Sequence, residues 1–171
     1  MKKVLTVIIW IVILGAILFG VYTVLPEYPH NVIKGHVQML TDAEAKNYIT
    51  KVQNLFNDDV DATYQMILEK NTSLIGWVHE LPEENAEGVR KVIFYGNGAS
   101  VNIHEIAGYD DMLYTSCAVK IEFRIGDNNS VDIVPYIDGE LIQVADNKKT
   151  NDALKELIFD QLYNGSDTNR N

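Results

Sequence analysis

Met112-Leu113-Tyr114-Thr115-Ser116-Cys117-Ala118-Val119-Lys120-Ile121-Glu122-Phe123-Arg124-Ile125 changes side at every step. Leu113, Thr115, Cys117, Val119, Ile121, Phe123 and Ile125 fall on one face. Met112, Tyr114, Ser116, Ala118, Lys120, Glu122 and Arg124 fall on the other. Successive side chains of a strand point to opposite faces, so this stretch predicts a long antiparallel strand with one face in a core.

Downstream, Gly126-Asp127-Asn128-Asn129 reads as a turn. Val131–Ile137 and Leu141–Ala145 flank Asp138-Gly139, a strong hairpin signal. Pro135 lacks a backbone donor, which marks an edge or a bulge. A last helix is expected over Asn151–Tyr163, with Leu154, Leu157, Ile158 and Leu162 inward and Gly165 just past its end. Upstream, Val89–Tyr95 and Val101–Ala107 read as two strands turned at Gly96-Asn97-Gly98. Leu74–Val78 is a short apolar run of either type. Before it, Thr41 with Glu44 fits a capping box. Ala45, Tyr48, Ile49, Val52, Leu55 and Phe56 then follow at helical spacing. A second helix is expected over Val60–Lys70.

The order is helices, about five antiparallel strands, then a helix. This is an α+β class in which helices pack on a curved antiparallel sheet. The order resembles the NTF2-like or cystatin-like folds over residues 41–163. Membrane-anchored domains of that kind occur among conjugation and secretion subunits of bacterial envelopes. The resemblance is one of element order and assigns no functional residue.

Residues 4–25, VLTVIIWIVILGAILFGVYTVL, carry no charge. At about 1.5 Å per residue such a helix spans roughly 33 Å, enough to cross a hydrocarbon core. Lys2 and Lys3 precede the run, which places residues 1–3 in the cytoplasm and the rest outside. No small-x-small cleavage site follows the run, which favours an anchor over a cleaved signal. Residues 26–40, with two prolines and Gly35, read as a linker. Residues 41–163 form the extracytoplasmic domain, and 164–171 a frayed tail.

The chain carries 24 acidic against 14 basic residues, a net charge of −10. An acidic body repels phosphate backbones, so nucleic acid is excluded as a partner. Its single cysteine, Cys117, forbids an internal disulfide and falls on the apolar face of the long strand.

Chemical motifs fail on spacing. Gly96-Asn97-Gly98 is followed by Val101 where a dinucleotide fingerprint needs a third glycine. His79-Glu80 and His104-Glu105 lack the second histidine four positions on, since Glu83 and Gly108 stand there. Asp127-x-Asn129 fails as a calcium loop at Val131. No catalytic, cofactor or metal residue is assigned. His104, Tyr109, Asp110 and Asp111 are the acid–base candidates if the chain were an enzyme. Tyr114 and Tyr136 are expected to share the polar face of the sheet as an interaction surface. These readings favour a non-enzymatic envelope protein that binds another envelope protein or itself. A small-molecule or lipid-binding module and a cell-surface enzyme are the alternatives.

Overall fold

The computed structural model describes residues 7, 8, 10–16, 20, 25–128 and 130–165. Its elements are α1 (Glu27–Thr41), α2 (Ala43–Gln53), β1 (Phe56–Asn57), β2 (Ala62–Thr63), α3 (Tyr64–Lys70), β3 (Ser73–Glu80), β4 (Arg90–Ile103), β5 (Met112–Ile125), β6 (Val131–Ile137), β7 (Glu140–Leu141) and α4 (Lys148–Asn164). A mixed α+β architecture results, with an antiparallel meander in the order β3-β4-β5-β6-β7 and a C-terminal helix.

β4 and β5 form the spine. The expected turn at Gly96-Asn97-Gly98 is absent: β4 runs straight through it as one strand. The glycines serve a bulge instead. Between Asn97 and Ala99 β4 carries one extra residue, and between Cys117 and Tyr114 β5 carries one extra residue. The two bulges offset each other, so the register beyond them matches the register before. Gly98 has φ 83° and Ser116 φ 52°, the left-handed values such irregularities use. Each bulge also swaps the faces of its strand. In β4 the core residues are Val92 and Phe94 before the bulge, and Ala99, Val101 and Ile103 after it. In β5 they are Cys117, Val119, Ile121 and Phe123 on one side of Ser116, and Tyr114 on the other.

The core lies between this face and helices α2, α3 and α4. Ile49 and Val52, Ile67 and Leu68, and Leu154, Ile158, Phe159 and Leu162 are buried from the three helices. From the sheet Trp77 meets Phe94 edge-on and Phe123 at a tilt, and Tyr64 sits edge-on to Phe123 and Phe159. Burying each such aromatic contributes about 1.5–3 kcal/mol. Cys117 lies in this core, as expected, its thiol bonded to the Ala99 carbonyl and pushed up to about 11 by burial.

Several local expectations are corrected. Residues 26–40 are not a linker: α1 begins one residue after Pro26 and packs along β3. Asp42, not Thr41, caps α2, its carboxylate accepting from the Glu44 and Ala45 amides. Thr41 is the last residue of α1, its hydroxyl bonded back to the Val37 carbonyl. The second helix starts at Tyr64 because residues 56–63 form a small hairpin first. β7 has two residues, and α4 starts earlier than expected, capped by Asn147. Asp138-Gly139 does turn β6 into β7, with φ 50° and 83°. The Pro135 carbonyl accepts from Ile142 on the β7 side, so its missing N–H faces away from β5.

Close approach fixes α1. A Cβ on Gly35 would sit 2.3 Å from the Trp77 carbonyl oxygen, and one on Gly76 2.6 Å from Val32 Cα. Three amide side chains clasp backbone from the helices, each donating to a carbonyl and accepting from an N–H. Gln38 holds His79, Gln161 holds Asn102, and Asn151 holds Val144.

Of the expected anchor, residues 7, 8, 10–16 and 20 are helical, with Trp10, Ile11 and Val12 exposed. The rest of that run, the cytoplasmic residues 1–3 and tail residues 166–171 lie outside the described residues. Among the described residues no helix is long and apolar enough to cross a membrane.

A Gly35→Ala substitution should overpack the α1–β3 contact and destabilise the protein by about 1–3 kcal/mol. Val37→Ala, on the exposed side of the same helix, should cost no more than about 0.5 kcal/mol. Urea denaturation of the full chain, followed by tryptophan fluorescence, compares the two.

Candidate functional site

The second face of the sheet is a grid set by strand register. Residues directly opposite across antiparallel strands share a face. Glu80 pairs with Lys91, Lys91 with Arg124, and Arg124 with Asp132. In the next row Val78 pairs with Ile93, Ile93 with Glu122, and Glu122 with Val134. In the third, Gly76 pairs with Tyr95, Tyr95 with Lys120, and Lys120 with Tyr136.

α1 covers only half of this grid. Tyr28 and Val32 pack on Val78, Ile93 and Tyr95. Tyr28 meets Tyr95 edge-on at 5.6 Å, and Asn31 donates to the Tyr95 hydroxyl at 2.9 Å. The β5 and β6 columns remain uncovered by any helix of the described residues.

Glu122 organises the uncovered half. Its carboxylate meets Lys91 Nζ at 3.2 Å, Lys120 Nζ at 3.0 Å and Arg124 Nη2 at 3.0 Å. Glu87, from the loop before β4, adds contacts to Lys91 at 3.1 Å and Arg124 at 3.4 Å. Lys91 and Glu122 are each 5% exposed. Three cations thus face two carboxylates within a strongly acidic protein. Lys120 Nζ also lies 4.1 Å over the Tyr136 ring, and Arg124 donates to the Tyr136 hydroxyl. Beside this cluster, a groove of about 280 Å³ runs between the first turn of α1 and the β6–β7 turn, lined by Tyr28, Tyr95, Lys120, Tyr136 and Gly139.

Protonation is settled by these contacts. Burial alone would raise the Glu122 pKa, but bonds from Lys120 and Arg124 and the charge of Lys91 outweigh it and lower the value. Burial would lower Lys91, but Glu87 and Glu122 outweigh it and raise the value. The groups are therefore held as fixed charges at neutral pH. Such a surface suits recognition rather than proton transfer.

Tyr136 stands on this face as expected. Tyr114 does not, and the pairing of the two is corrected. The bulge at Ser116 turns Tyr114 to the core side, where its hydroxyl reaches Met112 Sδ at 3.3 Å and Glu140 Oε2 at 3.4 Å. Lys120, Glu122 and Arg124 were legible as the polar side of β5. Lys91, Tyr95 and Tyr28 were not singled out, since only the register brings them to the same place.

The acid–base candidates stay apart from this face. His104 follows the end of β4 and is exposed, its Nδ1 3.2 Å from the Asn102 carbonyl. Asp111 accepts from the Glu105 amide, so its carboxylate shapes the connecting loop. Among the described residues no group of three or more metal-ligating side chains could hold an ion. A second titratable cluster lies under α2, where His79 stacks on Tyr48 at 5.1 Å and Arg90 covers the Tyr48 ring while pairing with Glu44. His79 Nε2 is buried with no hydrogen-bond partner among the described residues, and burial lowers the histidine pKa.

Compared with family models, with curated proteins and with solved structures, the chain matches none.

Since the Glu122 pKa is lower folded than its ordinary value of 4.5, its stabilisation is full above that value and is lost as pH falls through the depressed one. Thermal melts from neutral pH into this acid window should show the loss, and Glu122→Gln should flatten it. At neutral pH Glu122→Ala should cost about 1–3 kcal/mol, because buried Lys91 loses one of its two carboxylates and keeps Glu87.

Proposed function

We propose that this chain is a membrane-anchored extracytoplasmic module with a non-enzymatic binding role in the cell envelope, and that the uncovered β5–β6 face is its docking surface. The observation that carries the reading is the Glu122-centred cluster beside Tyr136: fixed cations and a half-buried aromatic ring on an otherwise acidic body. Arg and Tyr bring directional bonds and large contact area at low entropic cost, and both are enriched where proteins meet. The partner is another envelope protein presenting a carboxylate-bearing segment to Lys120 and Arg124.

The uncharged run over residues 4–25, preceded by Lys2 and Lys3, supports the anchor and its orientation. The described part of that run, helical with exposed apolar side chains, is consistent with lipid around it. Helices laid over one face of a curved meander support the NTF2-like or cystatin-like reading of the fold. α1 on the second face is an addition to that plan.

The groove lined by Tyr28, Tyr95 and Tyr136 favours a second reading, in which a small aromatic or apolar ligand is held at the same face. The space between the sheet and helices α2, α3 and α4 does not favour a lipid site there, since Trp77, Phe94, Phe123 and Phe159 occupy it. The enzyme reading has least support, because Asp111 is engaged in loop backbone and His104 stands in solvent.

A photo-crosslinking amino acid at position 136 of the full-length chain, expressed in cells, should capture one envelope protein reproducibly. Lys120→Gln should sharply reduce the capture by removing charge at the patch, without lowering the melting temperature by more than a few degrees. Equal capture from a crosslinker at exposed Asp127, or none from position 136, would reject this face as the docking surface.

A further inference from the structure

We propose that the outward side of α1 lies against the bilayer surface, so that the domain is docked onto the membrane rather than held away from it on a tether. This rests on the reading of residues 4–25 as an anchor. α1 starts at Glu27, one residue after Pro26, so no slack separates it from the apolar run. One side of the helix is committed to the sheet through Tyr28, Val32 and Gly35. The opposite side presents Ile33, Val37 and Leu40, spaced four and three apart and therefore stacked in one stripe. They are 41%, 52% and 86% exposed. A leucine left that open on a helix is not explained by the packing of this chain.

Charge points to the occupant. From Tyr28 to Thr41 the chain has no carboxylate, although it carries 24 acidic residues in all. The ionisable groups there, apart from Tyr28, are His30, Lys34 and His36, and His36 is exposed. Glu27, at the first position of α1, is the one carboxylate of this helix; the remainder lacks the charge that would repel an anionic lipid surface, and its apolar stripe suits an interfacial helix. Its depth in that case is about 5–10 Å, at the boundary of headgroups and acyl chains.

A second copy suits the stripe less well. A stable protein interface takes about 800 Å² from each partner, far more than three side chains of one helix provide. A lipid surface needs no such complementarity, and the anchor already holds α1 beside it at high effective concentration.

The test uses the full chain in vesicles of phosphatidylcholine and phosphatidylglycerol, with one nitroxide label at a time on Ile13→Cys, Val37→Cys or Asp127→Cys. Cys117 is buried, so unmodified protein serves as the labelling blank. The expected result is a ratio of oxygen to water-soluble nickel accessibility several-fold higher at positions 13 and 37 than at 127. Lipid-like values at 13 with water-like values at 37 would overturn the docking and leave the anchor standing. Water-like values at 13 would overturn the anchor reading, and the docking with it. Shielding of position 37 from both reagents would also overturn the proposal. Dipolar broadening between labels would then identify a second copy as the occupant, and its absence another protein.

Discussion

Side-chain parity in a strand is unforgiving: one extra residue sends everything beyond it to the other face. The β4–β5 pair contains two such residues, one on each strand, and they offset each other. Through Gly98 and Ser116 the register survives while both strands exchange faces. Thus Val119, Ile121 and Phe123 enter the core beside Val92 and Phe94, and Tyr114 enters it beside Val101. The same parity lines up Lys91, Lys120, Glu122 and Arg124 with Tyr136. The cluster is the obverse of the core, and neither could move without the other.

Much of this was legible in the chain. Alternation from Cys117 to Ile125 placed the central strand and its polar side, and helical spacing found α2 and α4. Asp138-Gly139 announced a turn because both residues take the positive φ it needs. The misreadings share a cause. Gly96-Asn97-Gly98 signals positive φ, and a turn and a bulge use the same conformational freedom. Only the partner strand decides between them. Tyr114 was misplaced by Ser116, a residue type that carries no local sign of a bulge. α1 was read as a linker because Pro29 and Gly35 break helical expectation. Its buried side is built on Gly35 meeting the Trp77 backbone, a contact without side-chain signature. The candidate site was half visible, in the polar side of β5 and in Tyr136. Its other half, Lys91 and Tyr95, required the register.

The second face of the sheet gathers Lys91, Lys120 and Arg124 around Glu122, with Glu80 and Asp132 at the two ends of the Lys91–Arg124 row. Burial raises the cost of any imbalance in that cluster, which holds its members in one arrangement rather than many. A surface fixed in this way presents the same pattern to every molecule it meets. The stack of Arg90, Tyr48 and His79 is a contrasting case, in which a buried ring nitrogen goes unbonded and the histidine is kept neutral.

The paired amide contacts of Gln38, Gln161 and Asn151 have a further consequence. Each carboxamide offers one donor and one acceptor, as a neighbouring strand would, and each occupies backbone that the sheet leaves open. At His79 the open backbone belongs to the outermost strand, and at Asn102 to β4 where β3 has already ended. Exposed strand edges recruit other strands. A glutamine from a helix ends the ladder without lengthening it. The edge is thereby blocked at the places where these amides sit, His79 on β3 and Asn102 on β4.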